Sequence, residues 1–242
     1  METTIDILKR YFDKKAKTPF AHQAHTLPFM TVSRETGAAD IRFLRKLLQA
    51  INEADTEKTK EWIMFGKESL GIVINDKSIT KSIDEYLPEQ RIPELQAMLE
   101  QLFGVHSSIQ KIVKEVSHSI MKIALMGETI LIGRGASHIT KHFQGGLHVR
   151  FIASMNQKIS AVQELYADKF ENFDFKSAKK YIEEVDKNKR EYIKKNFNEE
   201  IAEPLNYSLI INLSKLTENE AINLICRQII EIRNNLKINK HG

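Results

Sequence analysis

Only one cysteine, Cys226, occurs in 242 residues, so no disulfide closes within the chain and a reducing, cytoplasmic setting is expected. No apolar run reaches membrane-spanning length. The opening METTIDILKRYFDKK lacks an apolar core with a cleavage site behind it, so neither a membrane partner nor an export signal is expected. Internal repeats and low-complexity segments are missing too. There is no G-x-S-x-G elbow, and Ser137-His138 has no acidic third member, which argues against a hydrolase triad. His138, His142 and His148 come without cysteines or carboxylates at ligand spacing, which argues against a metal centre. The net charge of +4 is modest and local: residues 176–195 hold eight Lys/Arg against four Asp/Glu. Tyr181, Tyr192 and Phe197 lie among or beside these lysines, but their spacing turns them toward a core or a lid hinge. A nucleic-acid partner is therefore not expected.

What the chain does contain is an ordinary globular balance of 42% hydrophobic and 28% charged residues, with strong periodicity. Ile5, Leu8, Tyr11 and Phe12 mark a short amphipathic helix, an N-terminal extension over 1–26 ahead of the main domain at 27–242. Phe29 to Val32 reads as a strand; Ile41, Leu44, Leu47, Leu48 and Ile51 read as a helix. Residues 62–87 show no clear period. Two helices follow, one striped by Ile92, Leu95, Met98, Leu99, Leu102 and Phe103, the other opening on a Ser107/Gln110 capping box and running to Gly127. Strands are expected at 129–132, 147–152 and 207–213. Helices are expected from Met155 to Tyr166, over 176–197, and after Thr217, which Glu220 helps to cap. Nearly continuous apolar strands separated by helices imply an α/β protein with a parallel sheet covered on both faces.

The densest information lies in TILIGRGASHITKHFQGGLHVRFI, residues 129–152. A buried strand runs there into Gly133-Arg134-Gly135, and a second strand follows. An arginine between two glycines at a strand's end is placed to meet an anion arriving over the sheet.

Several segments, in order and at matching spacing, resemble the cytidylate kinase-like family of nucleoside monophosphate kinases. They are TVSRETG (31–37), WIMFGKE (62–68), ILIGRGASHIT (130–140), GGLHVRFIA (145–153), DKNKR (186–190) and EPLNYSLIINLSKL (203–216). The resemblance covers roughly residues 28–232. It implies a three-layer P-loop NTPase-like fold, with a helical insertion for the acceptor nucleotide at about 55–127 and a helical lid at about 155–200. It also implies an ATP-dependent transfer with Mg²⁺. In that scheme Ser33, Arg34, Gly37, Ala38, Ala39 and Asp40 hold the donor phosphates, and Lys67, Gly133, Arg134 and Gly135 hold the acceptor. Arg134, Lys158, Lys187 and Arg190 neutralise charge on the transferred group.

The chain also departs from the family pattern. The strict G-x-x-x-x-G-K-[ST] loop is absent. Ala39 and Asp40 stand where the family's last two loop glycines would be, Gly66 replaces a common aspartate, and Lys158 alone remains of an arginine-rich helix. Asp40 reads either as a Mg²⁺ ligand or as a first-turn residue of the helix behind it. Two functions follow as expectations. One is transfer of the ATP γ-phosphoryl to CMP or a related nucleotide; the other is a nucleotide-binding or regulatory protein that has lost catalysis on the same fold.

Overall fold

A computed structural model describes residues 27–75, 111–167 and 174–238. The expected N-terminal helix, the helix striped by Ile92 to Phe103 and the Ser107 capping box lie outside these residues.

Five strands form one parallel sheet: β1 (Phe29–Arg34), β2 (Ile63–Phe65), β3 (Thr129–Ile132), β4 (Gly146–Ile152) and β5 (Leu209–Asn212), in the order β2-β3-β1-β4-β5. The helices are α1 (Ile41–Ala54), α2 (Lys67–Asn75), α3 (Lys111–Met126), the single turn α4 (Ala136–Ile139), α5 (Met155–Tyr166), α6 (Phe175–Phe197) and α7 (Glu218–Ile238). A 3-10 turn covers Pro204–Asn206. This is a three-layer α/β architecture of the kind expected from the alternating pattern.

Successive residues of a strand serve opposite faces, and residues two apart share one. In β1, Met30 and Val32 face Leu44, Leu47 and Phe43 of α1 and Ile225 and Ile229 of α7. Phe29 points the other way, into Phe65, Leu131, Ile120 and Ile123. Strand β4 pairs Val149 with Val32 and Arg150 with Ser33, so its polar residues share the face of Ser33 and Thr31. A smaller cluster of Ile159, Val162, Ala178 and Ile182 zips α5 onto α6. The capping box before α7 forms as read: Thr217 N donates to Glu220 Oε2 at 2.8 Å, and Glu220 N to Thr217 Oγ1 at 3.3 Å.

Residues 62–75, which show no period, make edge strand β2 and helix α2. A three-residue strand is too short to display alternation, and Gly66, Lys67 and Glu68 mask the start of the helix. Strand β2 belongs to the central sheet, so part of the segment expected as an insertion is core.

Candidate functional site

The central strand β1 ends in the loop 33–40 at the carboxyl edge of the sheet, beside the switch in strand order where ligands settle in open parallel sheets. Gly37 has φ +85°, and a Cβ there would lie 2.5 Å from the Lys158 carbonyl oxygen, so only glycine lets this loop press against α5. Ala39 also lies in the left-handed region, with φ +51°, at a strain of roughly 1–2 kcal/mol. The loop therefore curls through a residue poorly suited to that conformation.

Thr36 turns its amide and hydroxyl toward α6, where both donate to Asp186 Oδ1, at 2.8 and 2.7 Å. Lys189 Nζ reaches the same oxygen at 3.1 Å, Thr36 Oγ1 at 2.8 Å and the Arg34 carbonyl at 3.1 Å. Lys158 Nζ sits 3.5 Å from Asp186 Oδ2 and 3.1 Å from Glu35 Oε2, with its side chain 8% exposed. A carboxylate is thus already held by a loop N–H, a hydroxyl and two ammonium groups. Against the upward push of burial, Thr36 and Lys189 keep Asp186 below the usual carboxylate range. Among the described residues, no acceptor reaches the backbone amides of Gly37, Ala39 or Asp40.

Asp40 has a definite local task. Its Oδ1 accepts from Arg42 N at 2.9 Å and Phe43 N at 3.0 Å, capping α1, and its Oδ2 accepts from Arg42 Nε at 2.8 Å. Arg42 also pairs with Glu164. Although burial opposes it, the Phe43 amide and Arg42 hold Asp40 below its ordinary pKa. To ligate Mg²⁺, Asp40 must surrender some of these bonds. Among the described residues no three His, Cys, Asp or Glu side chains gather at metal-binding distance, and none of these residues form a carboxylate cage. The donors present fit a phosphate group better than they fit a bare dication.

At the end of β3, Gly133, Arg134 and Gly135 have φ of +68°, +57° and +75°. A Cβ on Gly135 would lie 2.5 Å from the Phe197 ring, so the turn packs tightly beneath the end of α6. This strained turn holds Arg134 half exposed, with no hydrogen bond or ion pair to any described residue. Lys67, at the start of α2, is exposed and likewise unpaired among the described residues.

Two expected lid residues face solvent here. Lys187 lies 3.7 Å from Glu191 along the helix surface, and Arg190 is exposed. Lys189 faces the loop instead. The reason is helical geometry: Asp186 and Lys189 fall on the stripe of the buried Ile182 and Ile193, at steps of four, three and four residues. That stripe was readable in the sequence.

Beneath α6 lies a polar layer built on Arg150 and His148, neither of them expected at the site. Arg150, 7% exposed, donates from Nη1 to Ser33 Oγ at 2.9 Å, with its guanidinium carbon 5.7 Å from the Tyr207 ring centroid. His148 Nδ1 lies 2.8 Å from Thr31 Oγ1. Burial and then His138 push its pKa down to about 4, with a hydrogen bond to the Thr140 backbone opposing. His138 stacks on Phe197, and its Nδ1 lies 2.8 Å from Glu199 Oε2. Burial keeps it below its ordinary pKa despite Glu199. The signal was the alternation of His148 and Arg150 with Leu147, Val149 and Phe151 along one strand.

A parallel three-layer sheet, with an anion-holding loop after its central strand and a basic helix docked over that loop, is a nucleotide kinase-like fold. The model of the cytidylate kinase-like family matches residues 63–215, and the chain belongs to that family. A crystal structure of an uncharacterized protein from Eubacterium ventriosum ATCC 27560 is similar in fold. It has 19% identity and a TM-score of 0.63, with 84% of this chain and 98% of that one covered. No curated protein matches the chain.

Proposed function

We propose that the protein is a nucleoside monophosphate kinase-like phosphotransferase that moves the γ-phosphoryl of ATP to CMP or a related nucleotide. The observation that carries this reading is the grip of Thr36, Lys158 and Lys189 on the Asp186 carboxylate, an anion held where a phosphate would sit. Phosphoryl transfer depends on positioning and charge neutralisation more than on covalent help. Ser33, Arg34 and the amides of Gly37, Ala38, Ala39 and Asp40 line the donor side. Lys67 and the turn Gly133-Arg134-Gly135 face the acceptor, with Arg134 free to fork onto its phosphate. Mg²⁺ bound with ATP would neutralise the polyphosphate. Lys158 and Lys189, rather than Lys187 and Arg190, are the lid cations that counter charge growing on the transferred group.

A second reading rests on the same contact. With Asp186 seated on Thr36 and Asp40 committed to α1, the loop resembles one that has given up catalysis, and the chain then serves as a nucleotide sensor or partner platform. An ADP-release assay with Mg-ATP across CMP, dCMP, UMP and AMP separates the two. Turnover with at least one acceptor supports the kinase. No turnover, together with no ATP-dependent thermal shift, leaves only the scaffold.

A further inference from the structure

The geometry points to Arg150 as an anion-binding residue of this site, a phosphate ligand delivered from inside the sheet rather than from a loop or the lid. It rests on the nucleotide reading only for the choice of ligand.

The argument begins with cost. A guanidinium taken out of water loses several kcal/mol unless a carboxylate or comparable partner meets it. Arg150 is 7% exposed, yet its partners are one hydroxyl, Ser33 Oγ, and the face of Tyr207. Among the described residues no carboxylate lies within ion-pair distance of it. Neutral contacts of this kind recover only part of that cost, too little to explain a buried cation.

The neighbours deepen the deficit. Burial lowers the pKa of Lys189, and the charges of Arg34 and Arg150 lower it further, which brings three cations into mutual range at the loop. Asp186 pairs with Lys189, and Thr36 and Lys158 already share it. His138, also within range of Arg150, is kept below its ordinary pKa by burial and is no counter-ion for a guanidinium.

Position selects the ligand. Arg150 is in register with Ser33, the first residue of the loop, and lies on the sheet face that carries α4 and the end of α6. Its planar fork stands within charge range of Lys189, whose Nζ rests on the loop at the Arg34 carbonyl and Thr36 Oγ1. That set suits the tetrahedral oxygens of a phosphate monoester. Ser33 aims the guanidinium, and the Tyr207 hydroxyl, 3.3 Å from Ser33 Oγ and donating to the Ile201 carbonyl at 2.7 Å, steadies that arrangement.

The test is calorimetric titration of the full chain with CMP, ATP, cytidine and inorganic phosphate, for wild type, Arg150→Gln and Arg150→Lys. Glutamine keeps a donor for Ser33 and removes the charge. Arg150→Gln is expected to weaken CMP, ATP or both by about 10- to 100-fold while leaving cytidine unchanged, and Arg150→Lys to recover part of the loss. Which nucleotide responds identifies the acceptor or donor phosphate. The ligand-free melting temperature of Arg150→Gln is expected to equal or exceed that of wild type. The inference is overturned by equal affinities in wild type and Arg150→Gln, by equal losses for CMP and cytidine, or by a wild type that binds neither phosphate nor nucleotide. Arg150-dependent CMP binding without ADP release would retain this site and remove the kinase reading.

Discussion

Two buried arginines occupy opposite ends of the same sheet, and their surroundings differ completely. At the amino edge, Arg233 of α7 donates from Nη2 to Asp55 Oδ2 at 2.6 Å and to Glu128 Oε1 at 2.8 Å. Trp62 Nε1 also donates to Asp55, and the amide and hydroxyl of Thr59 donate to Glu128. Lys60 adjoins this group, its pKa pushed down to about 7 by burial against the pull of Glu128. Charges there close on themselves. At the carboxyl edge, Arg150 has a hydroxyl and a ring. The difference separates a cation that ties elements together from one whose counter-ion must come from solution.

Breaking the closed end should have the largest effect. Arg233→Leu strands two carboxylates in the interior and is expected to cost about 3–5 kcal/mol, read by denaturant unfolding. If Arg150→Leu cost as much, the contrast between the ends would disappear.

Acid probes the polar layer next. Neutral His148, with its pKa near 4, takes up a proton only on unfolding at mildly acidic pH. Its contribution is fully present above pH 6.5 and is lost as pH falls toward 4. The loss is about 3 kcal/mol at roughly 1.4 kcal/mol per pKa unit. Melting temperatures between pH 7 and 4 should therefore fall, and less steeply in His148→Asn. Asp186 and Glu199, held low against burial by their hydrogen bonds and neighbouring cations, add to the acid loss at lower pH.

A smaller effect is expected at Asp40. Asp40→Ala removes the cap of α1 and should cost about 1 kcal/mol, a melting shift of about 2–4 °C, whereas Asp40→Gly should cost only a few tenths. Smallest of all is Lys187→Ala. Losing an exposed pair with Glu191 should change stability by less than about 0.5 kcal/mol and leave turnover intact, while Lys189→Ala should depress turnover.

Much of the fold was legible because its information is local. The apolar runs at 129–132 and 147–152, the Thr217 cap and, among the described residues, the helical stripes appear where their periods place them. Strand β2 was not legible, since three residues carry no period and its place in the sheet depends on pairing with β3. For the site, Gly133-Arg134-Gly135 was readable as a turn, and the structure places Arg134 there half exposed and unpaired among the described residues. Lys187 and Arg190 stand out through the D-x-x-x-R spacing of the resemblance, whereas the phase of Ile182, Asp186, Lys189 and Ile193 along α6 turns Lys189 to the loop. Arg150 was hidden by an apolar strand, because its importance lies in the partners it lacks, and only the folded neighbourhood reveals that.

The most direct measurement is a crystal structure of the protein soaked with CMP and a non-hydrolysable ATP analogue with Mg²⁺. The expected result is phosphate density among Thr36, Arg134, Arg150 and Lys189, with Asp186 released from the Thr36 amide. An empty rim, with the Asp186–Thr36 contact intact and Arg150 still resting on Ser33, would contradict it.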